Sequence, residues 1–463
     1  MAGTYLIPAT PLVDLSAYVS AGGGHGLSTA RAIGPDATLD LVHASGLRGR
    51  DASALSVSGR WERVIGGGDD AGPRSLVANG TDSEPGSFVD RTLLRRNPFA
   101  VIEGMVIAAL AIGARDSFLL LRHSFNAEYD LIVKSLAEAD VAGWFDSVSV
   151  KCVRTPEEYL VGDDRAALEV VEGRTPVPRR LAPHLDGLFS HDHRTDHDLD
   201  AVPARPNPTA VESIETLANL PALLANGPSW FRTMGTPVSP GNILCTVTGD
   251  VTVHAVAEVE LGRRVVAVLE EVGGGFVGDA APKAVLSGVS SPVLTRSRLS
   301  APLSWEGLAA VGAGVGRAAF MVFAEGTDMI GVAHGVAAFL YVESCGLCPP
   351  CKFGGGEVTA HLARLASGAG ALRDIEAISA RLSAIADGRR CDLASRHRDV
   401  VSSILRAFPA DVMAAVGPGS QCQPRTISGI TDLVEGRAEW DDRQVRKRAD
   451  WVVEDRPVQL TRW

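Results

Sequence analysis

A chain of 463 residues, 46% of them hydrophobic, has room for two to four domains and enough apolar side chains to build their cores. Its 44 basic against 55 acidic residues leave a net charge of −11, which argues against a phosphate-tracking surface and so against nucleic acid as a partner. The longest apolar runs, around 106–112 and 336–342, fall far short of the roughly 20 residues a membrane helix needs, so no membrane span is expected.

The N-terminus, M-A-G-T-Y-L-I-P-A-T, lacks a basic stretch followed by an apolar core, so a cytoplasmic location is expected. Seven cysteines, an odd number and partly clustered, suit a reducing compartment and metal ligation better than a disulfide framework. Leu39, Leu41, Val42 and Leu47 recur at mixed helical spacing and predict a short helix ending near Gly46. Then come S-G-L-R-G-R at Ser45–Arg50 and D-A-S-A-L-S-V-S-G-R-W at 51–61. A strand is predicted over Ser75–Ala78, leading into N-G-T-D-S-E-P-G-S-F-V-D-R at 79–91. Residues 98–113 read as a helix by length and alanine content, and Ser117–Leu121 as a strand. Strand, loop, helix and strand in that order indicate an α/β layer.

A further strand is predicted at Asp146–Val153, before Y-L-V-G-D-D-R at 159–165. The neighbouring Asp163 and Asp164 can be read as an acid/base pair; we read them as the N-terminal cap and solvated charge of a helix. His191, His193 and His197, interleaved with Asp192, Asp196 and Asp198, could hold an adventitious metal. The alternation has no fixed register, however, and reads as a polar surface loop within 183–208. Residues 243–325 change character: alternation in Ile243–Val247 and Val251–Val256, then Glu258–Leu269 and a glycine turn, predict short strands with one helix. Cys245 falls on an apolar strand pattern and reads as a buried hydrophobe. Three helical stripes follow: Val358, Leu362, Leu365; then Leu372, Ile375, Ile378, Leu382, Ile385; then Val400, Ile404, Phe408. Beyond Val416, Trp440, Trp451 and Trp463 among charges suggest a partner-docking arm, and Cys422 is a free thiol or a fifth ligand.

The most specific stretch is Glu343–Lys352, E-S-C-G-L-C-P-P-C-K. Cysteines at i, i+3 and i+6 let thiolates turn toward one centre while backbone N–H groups point at sulfur, as in a cluster-binding loop. A fourth ligand is needed, and Cys391 in R-R-C-D-L stands 40 residues downstream of Cys351. A zinc knuckle or reduced structural thiols are the alternative on spacing alone.

This motif and its flanks resemble the NADH-binding flavoprotein subunit of respiratory complex I and its relatives in soluble hydrogenases and formate dehydrogenases. The resemblance covers roughly residues 12–412. It implies an α/β fold class with an FMN-binding-type domain at 1–240, a small β-grasp domain of ubiquitin-like (SLBB) type at 241–330, an iron–sulfur helical bundle at 331–415 and a C-terminal extension at 416–463. It also implies that Cys345, Cys348, Cys351 and Cys391 hold a [4Fe–4S] cluster. Remnant flavin-site positions are Arg50, Asn79, Glu84 and Gly162.

The chain departs from the family where a flavin would lie. After S-G-L-R-G-R the family continues G-G-A-G-F-P-T-G-x-K-W; here three glycines are Asp51, Ala52 and Ala54, the phenylalanine is Leu55 and a fourth glycine is Ser58. Side chains fill space that bare backbone would leave to a ligand. Asp51 beside a phosphate would cost on the order of 4 kcal/mol at ~4 Å and an effective dielectric of ~20. Thr81 and Asp82 replace an Asp–Glu pair, Arg165 a threonine, and Glu212 and Ser213 an asparagine pair.

The expected function is therefore that of an electron-transfer subunit relaying single electrons through the cluster, between ferredoxin-like, flavoprotein or oxidoreductase partners, without its own flavin. The alternatives are an FMN-dependent NAD(P)H dehydrogenase subunit, and an assembly scaffold with a structural cluster.

Overall fold

The computed structural model describes residues 4–67, 72–191, 203, 205–278, 281–388, 390–417, 422, 425–449 and 460–462. His193, His197 and their intervening aspartates lie outside these, as do Trp451 and Trp463; His191 is described, with Nε2 3.1 Å from Asp186.

Four parallel strands, β1 (Arg74–Asn79), β2 (Ala114–Arg122), β3 (Ser149–Thr155) and β4 (Thr209–Ser213), stand in the order β3-β2-β1-β4. From β1 the chain moves outward through β2 to β3 and then returns to the other side of β1. The strand order thus reverses between β1 and β4, and in open parallel sheets ligands bind at the carboxyl ends of strands at such a switch point. The helix Pro98–Ile112 is buried almost all round, which suits its near-continuous apolar sequence. Gly104 lets it approach close to the backbone of Leu217, since a Cβ there would come within 2.0 Å of the Leu217 carbonyl oxygen. Its one carboxylate, Glu103, accepts hydrogen bonds from Tyr18 Oη and from the backbone N–H groups of Gly24 and Leu27, each at 2.8 Å. Glu103 therefore caps the start of His25–Ser45, where Gly24 offers no side chain. That helix is longer than predicted, kinks at Gly34–Pro35 and ends at Gly46 (φ 71°).

A second, mixed sheet comprises β5 (Asn242–Gly249), β6 (Ala255–Glu260), β7 (Ala284–Ser287), β8 (Leu294–Thr295) and β9 (Ala319–Phe323), in the order β6-β5-β9-β7-β8. The helix Val265–Gly273 packs across it, with Val265, Val268 and Phe320 in a shared core, as in a β-grasp fold. β6 begins at Ala255, later than the predicted alternation, because Val251 makes only an isolated bridge to Phe276. Cys245 is fully buried on β5.

The helices Met329–Glu343, Pro349–Ala366, Leu372–Ala384 and Leu393–Ala407 form the bundle. Val358, Leu362, Leu365, Ile378, Leu382, Val400 and Ile404 meet in its core. Leu372 is the exception in its stripe: at the first turn of its helix it is 56% exposed.

The C-terminal extension folds back on its own chain. β10 (Ile430–Val434) and β11 (Arg437–Trp440) make a hairpin whose Asp432 binds Arg95 at 2.7 Å and Arg91 at 3.1 Å. Lys447 reaches both oxygens of Glu343, at 2.8 and 2.9 Å, and β12 (Leu460–Arg462) adds antiparallel to the edge strand β3. The expected partner-docking arm is thus anchored internally, although Trp440 remains 66% exposed. Among the described residues no helix is long and apolar enough to cross a membrane.

Candidate functional site

The cysteine loop begins where Met329–Glu343 ends. Gly346 takes φ 85°, Cys348 is the extended residue before the helix Pro349–Ala366, and Pro349–Pro350 fit its first positions, where no backbone N–H is needed. Cys351 thus sits in the first helical turn. Lys352 ties the loop down through the carbonyl oxygens of Ser344 (2.8 Å) and Tyr341 (3.3 Å) and lies over the Tyr341 ring. Cys391 lies just before the helix Leu393–Ala407.

Cys345, Cys351 and Cys391 all pack at the edge of the bundle core. Burial raises each of their thiols, Cys351 to about 12, and they sense one another: Cys351 feels Cys345 and Cys348, and Cys391 feels Cys345 and Cys351. The backbone N–H of Leu347 is directed at Cys345 and that of Leu393 at Cys391. Four cysteines, two of them with backbone donors on sulfur, and two cations, Lys352 and Arg390, acting on Cys345 are donor chemistry that suits an iron–sulfur cluster. Among the described residues no three His, Cys, Asp or Glu side chains close around a single metal ion. Cys422 packs elsewhere on the bundle, its N–H on the Ala366 carbonyl.

The second feature is a cavity of about 350 Å³ at the carboxyl ends of β1 and β4, lined by Asp51, Asn79, Glu212 and Ser213 and reaching Cys391 and Arg396. Arg60 spans part of it, pairing with Asp51 at 2.9 Å and with Glu212 at 2.6 Å. Trp61 Nε1 donates to the other Glu212 oxygen at 3.2 Å. Burial works against an ionised Asp51, but Arg60 and a hydrogen bond from Ser53 outweigh it and hold the carboxyl at about 2. Burial dominates at Glu212, pushing it up to about 8, while Asp164, which also feels Arg60, is exposed. One guanidinium thus serves three carboxyls. Ala54 keeps a left-handed backbone (φ 49°), the conformation a glycine would adopt freely, so the loop retains its shape while carrying side chains. Asp163 caps Asp164–Val171 by accepting from the N–H groups of Arg165 and Ala166.

The four remnant positions have separate surroundings. Asn79 lines the cavity, donating to the Val161 carbonyl (2.9 Å) and accepting from Thr81 Oγ1 (2.7 Å). Gly162 also lines it, and a Cβ there would come within 2.0 Å of Ser83 Oγ. Glu84 is buried in the wall, accepting from the Val289 N–H at 2.5 Å and from Tyr159 Oη at 3.3 Å, 3.9 Å from Arg396. Arg50 points elsewhere: fully buried, it donates to the carbonyls of Asn242 (3.0 Å) and Pro240 (2.9 Å) and stacks on Trp305, joining the first sheet's domain to the second. Sequence reasoning missed Arg60. Its signal was a cation flanked by Gly59 and Trp61 in an otherwise altered loop, but its partner Glu212 is 152 positions away.

Two family models match the chain: the Nuo51 FMN-binding domain over residues 42–222 and the NADH-ubiquinone oxidoreductase-F iron–sulfur binding region over residues 331–415. The chain is 30% identical over 427 residues to the F subunit of the NADH-quinone oxidoreductase of Mycobacterium bovis, covering 89% of this chain and 92% of the relative. It is 29% identical over 416 residues to the F 2 subunit of the NADH-quinone oxidoreductase of Rhizobium meliloti, covering 87% and 94%. Its structure resembles a chain of the NAD+-reducing [NiFe]-hydrogenase in the H2-reduced state, with a TM-score of 0.74 and 27% identity over 88% of this chain and 67% of that one.

Proposed function

Because this chain belongs to the family of NADH-quinone oxidoreductase F subunits, we propose that it is the electron-transfer subunit of a multiprotein redox complex, relaying single electrons through a [4Fe–4S] cluster without a flavin of its own. The observation that carries this reading is the ion-paired Arg60, held between Asp51 and Glu212 inside the switch-point cavity. A flavin phosphate seated at the Asp51 end would meet a carboxylate, and its ring would have to displace the contacts of Arg60 with Asp51 and Glu212. About 350 Å³ is also near the lower bound of the roughly 300–1,000 Å³ typical of ligand pockets. These residues and this volume weigh against a flavin mononucleotide in the cavity.

The cluster does fit its donors. Bound, it would accept and release one electron at a time, as iron–sulfur clusters do. The chain's residues supply the surroundings: Cys345, Cys348, Cys351 and Cys391 ligate, Lys352 fixes the loop, and Leu347 and Phe353, 41% and 71% exposed, give the loop an apolar outer face for a redox partner. A cytoplasmic location is part of this proposal.

A second reading, an FMN-dependent NAD(P)H dehydrogenase subunit, is favoured by the match of residues 42–222 to an FMN-binding domain. NADH:ferricyanide reductase activity separates the two, because hydride must pass to a flavin before single electrons can reach a cluster. The relay reading expects no activity from the purified chain, with or without added FMN. Sustained NADH-dependent ferricyanide reduction would put the second reading first.

A further inference from the structure

The switch-point cavity meets the cluster site at Cys391; a second and larger cavity, about 1090 Å³, meets it at Cys345. Ser344, Cys345 and Lys352 stand on one wall of this larger space, and Asp441, Gln444 and Lys447 of the C-terminal extension stand on another. The Cys345 side of the loop therefore faces open space, and the extension lies across that space. Gln444 and Lys447, three positions apart and so on one face of the turn around Arg443–Arg446, are half-buried, whereas Arg443, Val445 and Arg446 are exposed.

Both inward side chains end on one carboxylate. Glu343 is the last residue of the helix Met329–Glu343, two positions before Cys345, and its side chain is 2% exposed. The negative end of a helix disfavours a buried carboxylate, and the last turn of this one carries no basic residue. The extension supplies the compensation: Lys447 Nζ reaches the two oxygens at 2.8 and 2.9 Å, and Gln444 Nε2 donates at 3.2 Å. Glu343 also accepts from the Tyr159 N–H at 3.0 Å, so one carboxylate ties together the start of the cluster loop, the wall of the switch-point cavity and the extension. On either side of this contact the extension is fixed by other means, the hairpin through Asp432 to Arg91 and Arg95, and β12 along β3. Residues 441–449 thus form a strap between two anchors, with a charged clasp on Glu343.

We propose that this strap is a latch on the cluster site. With Lys447 on Glu343 it holds the Cys345 flank of the loop and screens that side of the cluster; with the clasp open, the same side is exposed to solutes. Glu343 and Cys345 are separated by at most about 7 Å of backbone, so whatever releases the carboxylate is felt at the ligand. Removing the cation leaves a buried charge without its partner, which gives the clasp two distinct states. The inference rests on the cluster reading above and assigns to the extension control of access to that cluster.

The test follows iron release from the cluster-loaded full chain to bathophenanthroline disulfonate, an anionic iron chelator. Lys447→Met opens the clasp and should speed release at least tenfold, even though it removes a positive charge that would draw the chelator in. Lys447→Arg should stay within about twofold of the parent chain, since a guanidinium can take the same carboxylate. Arg446→Gln removes an equal charge from the exposed face, where Arg446 pairs with Asp442 at 2.7 Å, and should leave the rate unchanged. A second readout needs no variant: tryptic cleavage at Arg443 or Arg446, whose side chains are 58% and 68% exposed, confirmed by mass spectrometry, should raise release from the parent chain to the rate of Lys447→Met. A chain that purifies without iron and sulfide would overturn the cluster reading and the latch with it. A loaded chain whose release is unmoved by Lys447→Met and by the cut, or is raised as much by Arg446→Gln, would overturn the latch alone.

Discussion

Replacing Arg60 by glutamine removes the cation that Asp51 and Glu212 share while keeping most of the side chain's length. The loss can be worked from Asp51. Against the opposing effect of burial, Arg60 and Ser53 hold its carboxyl at about 2, below its ordinary 3.8, and at about 1.4 kcal/mol per unit that is worth about 2 kcal/mol. A depressed acid contributes stability above its ordinary value and loses it as pH falls through the depressed one, so the contribution is fully present at pH 7. Breaking a buried ion pair from one side costs roughly 3–5 kcal/mol where the remaining charge stays dry. Because the Asp51 side chain is 23% exposed, a total loss of about 2–4 kcal/mol is expected. Thermal unfolding of the cluster-loaded chain at pH 7, followed by tryptophan fluorescence, should show the midpoint falling by several degrees. Arg63→Gln, an exposed cation on the same helix, is the control and should stay within about 0.5 kcal/mol. If the two substitutions behave alike, the Asp51–Arg60–Glu212 network is not what fills the cavity.

Burial raises Glu212, so its contribution is present below the ordinary carboxylate range and is lost as pH rises through about 8. Stability should therefore decline from pH 6 to 8 by about 2 kcal/mol, and Glu212→Gln should flatten the decline; an equally steep profile in that variant would contradict the assignment. Ala54→Gly relieves a left-handed alanine and should raise stability by about 0.5–1 kcal/mol, read as a higher unfolding midpoint, whereas a fall would mean the loop is not held in that conformation. Cys391→Ser should abolish the four-iron signal in electron paramagnetic resonance while Cys245→Ser leaves it at full intensity; the reverse pattern would remove Cys391 from the ligand set. Lys447→Met leaves Glu343 buried without its cation and should speed tryptic cleavage of the extension several-fold; an unchanged rate would mean the extension is held by its hairpin alone.

What the sequence made legible was local. Cysteine spacing, the near-continuous apolar run of Pro98–Ile112 and the stripes of the bundle each follow from the order of neighbouring residues, and the structure buries the apolar run and brings the bundle stripes together. What it concealed was pairing at a distance. Asp51 reads in isolation as a charge that repels phosphate; only the fold brings Arg60 onto it and supplies Glu212 from across the sheet. Arg50 reads as a remnant ligand because its neighbours Ser45–Gly49 match a loop motif, yet its guanidinium turns to the carbonyls of Pro240 and Asn242, which no local pattern encodes. The charged, tryptophan-bearing extension looked like an arm for a partner. Asp432 and Lys447 find Arg95 and Glu343 of the same chain, more than 100 positions away, an anchoring that the local sequence did not show.

The most direct measurement is the cofactor content of the purified full chain: iron, acid-labile sulfide and acid-extracted flavin fluorescence determined on one sample. Four irons and four sulfides per chain with no stoichiometric flavin, under a broad brown absorption, is the expected result for a cluster relay. About one FMN per chain released on denaturation would contradict it, and would require the Arg60 pair to open around the cofactor.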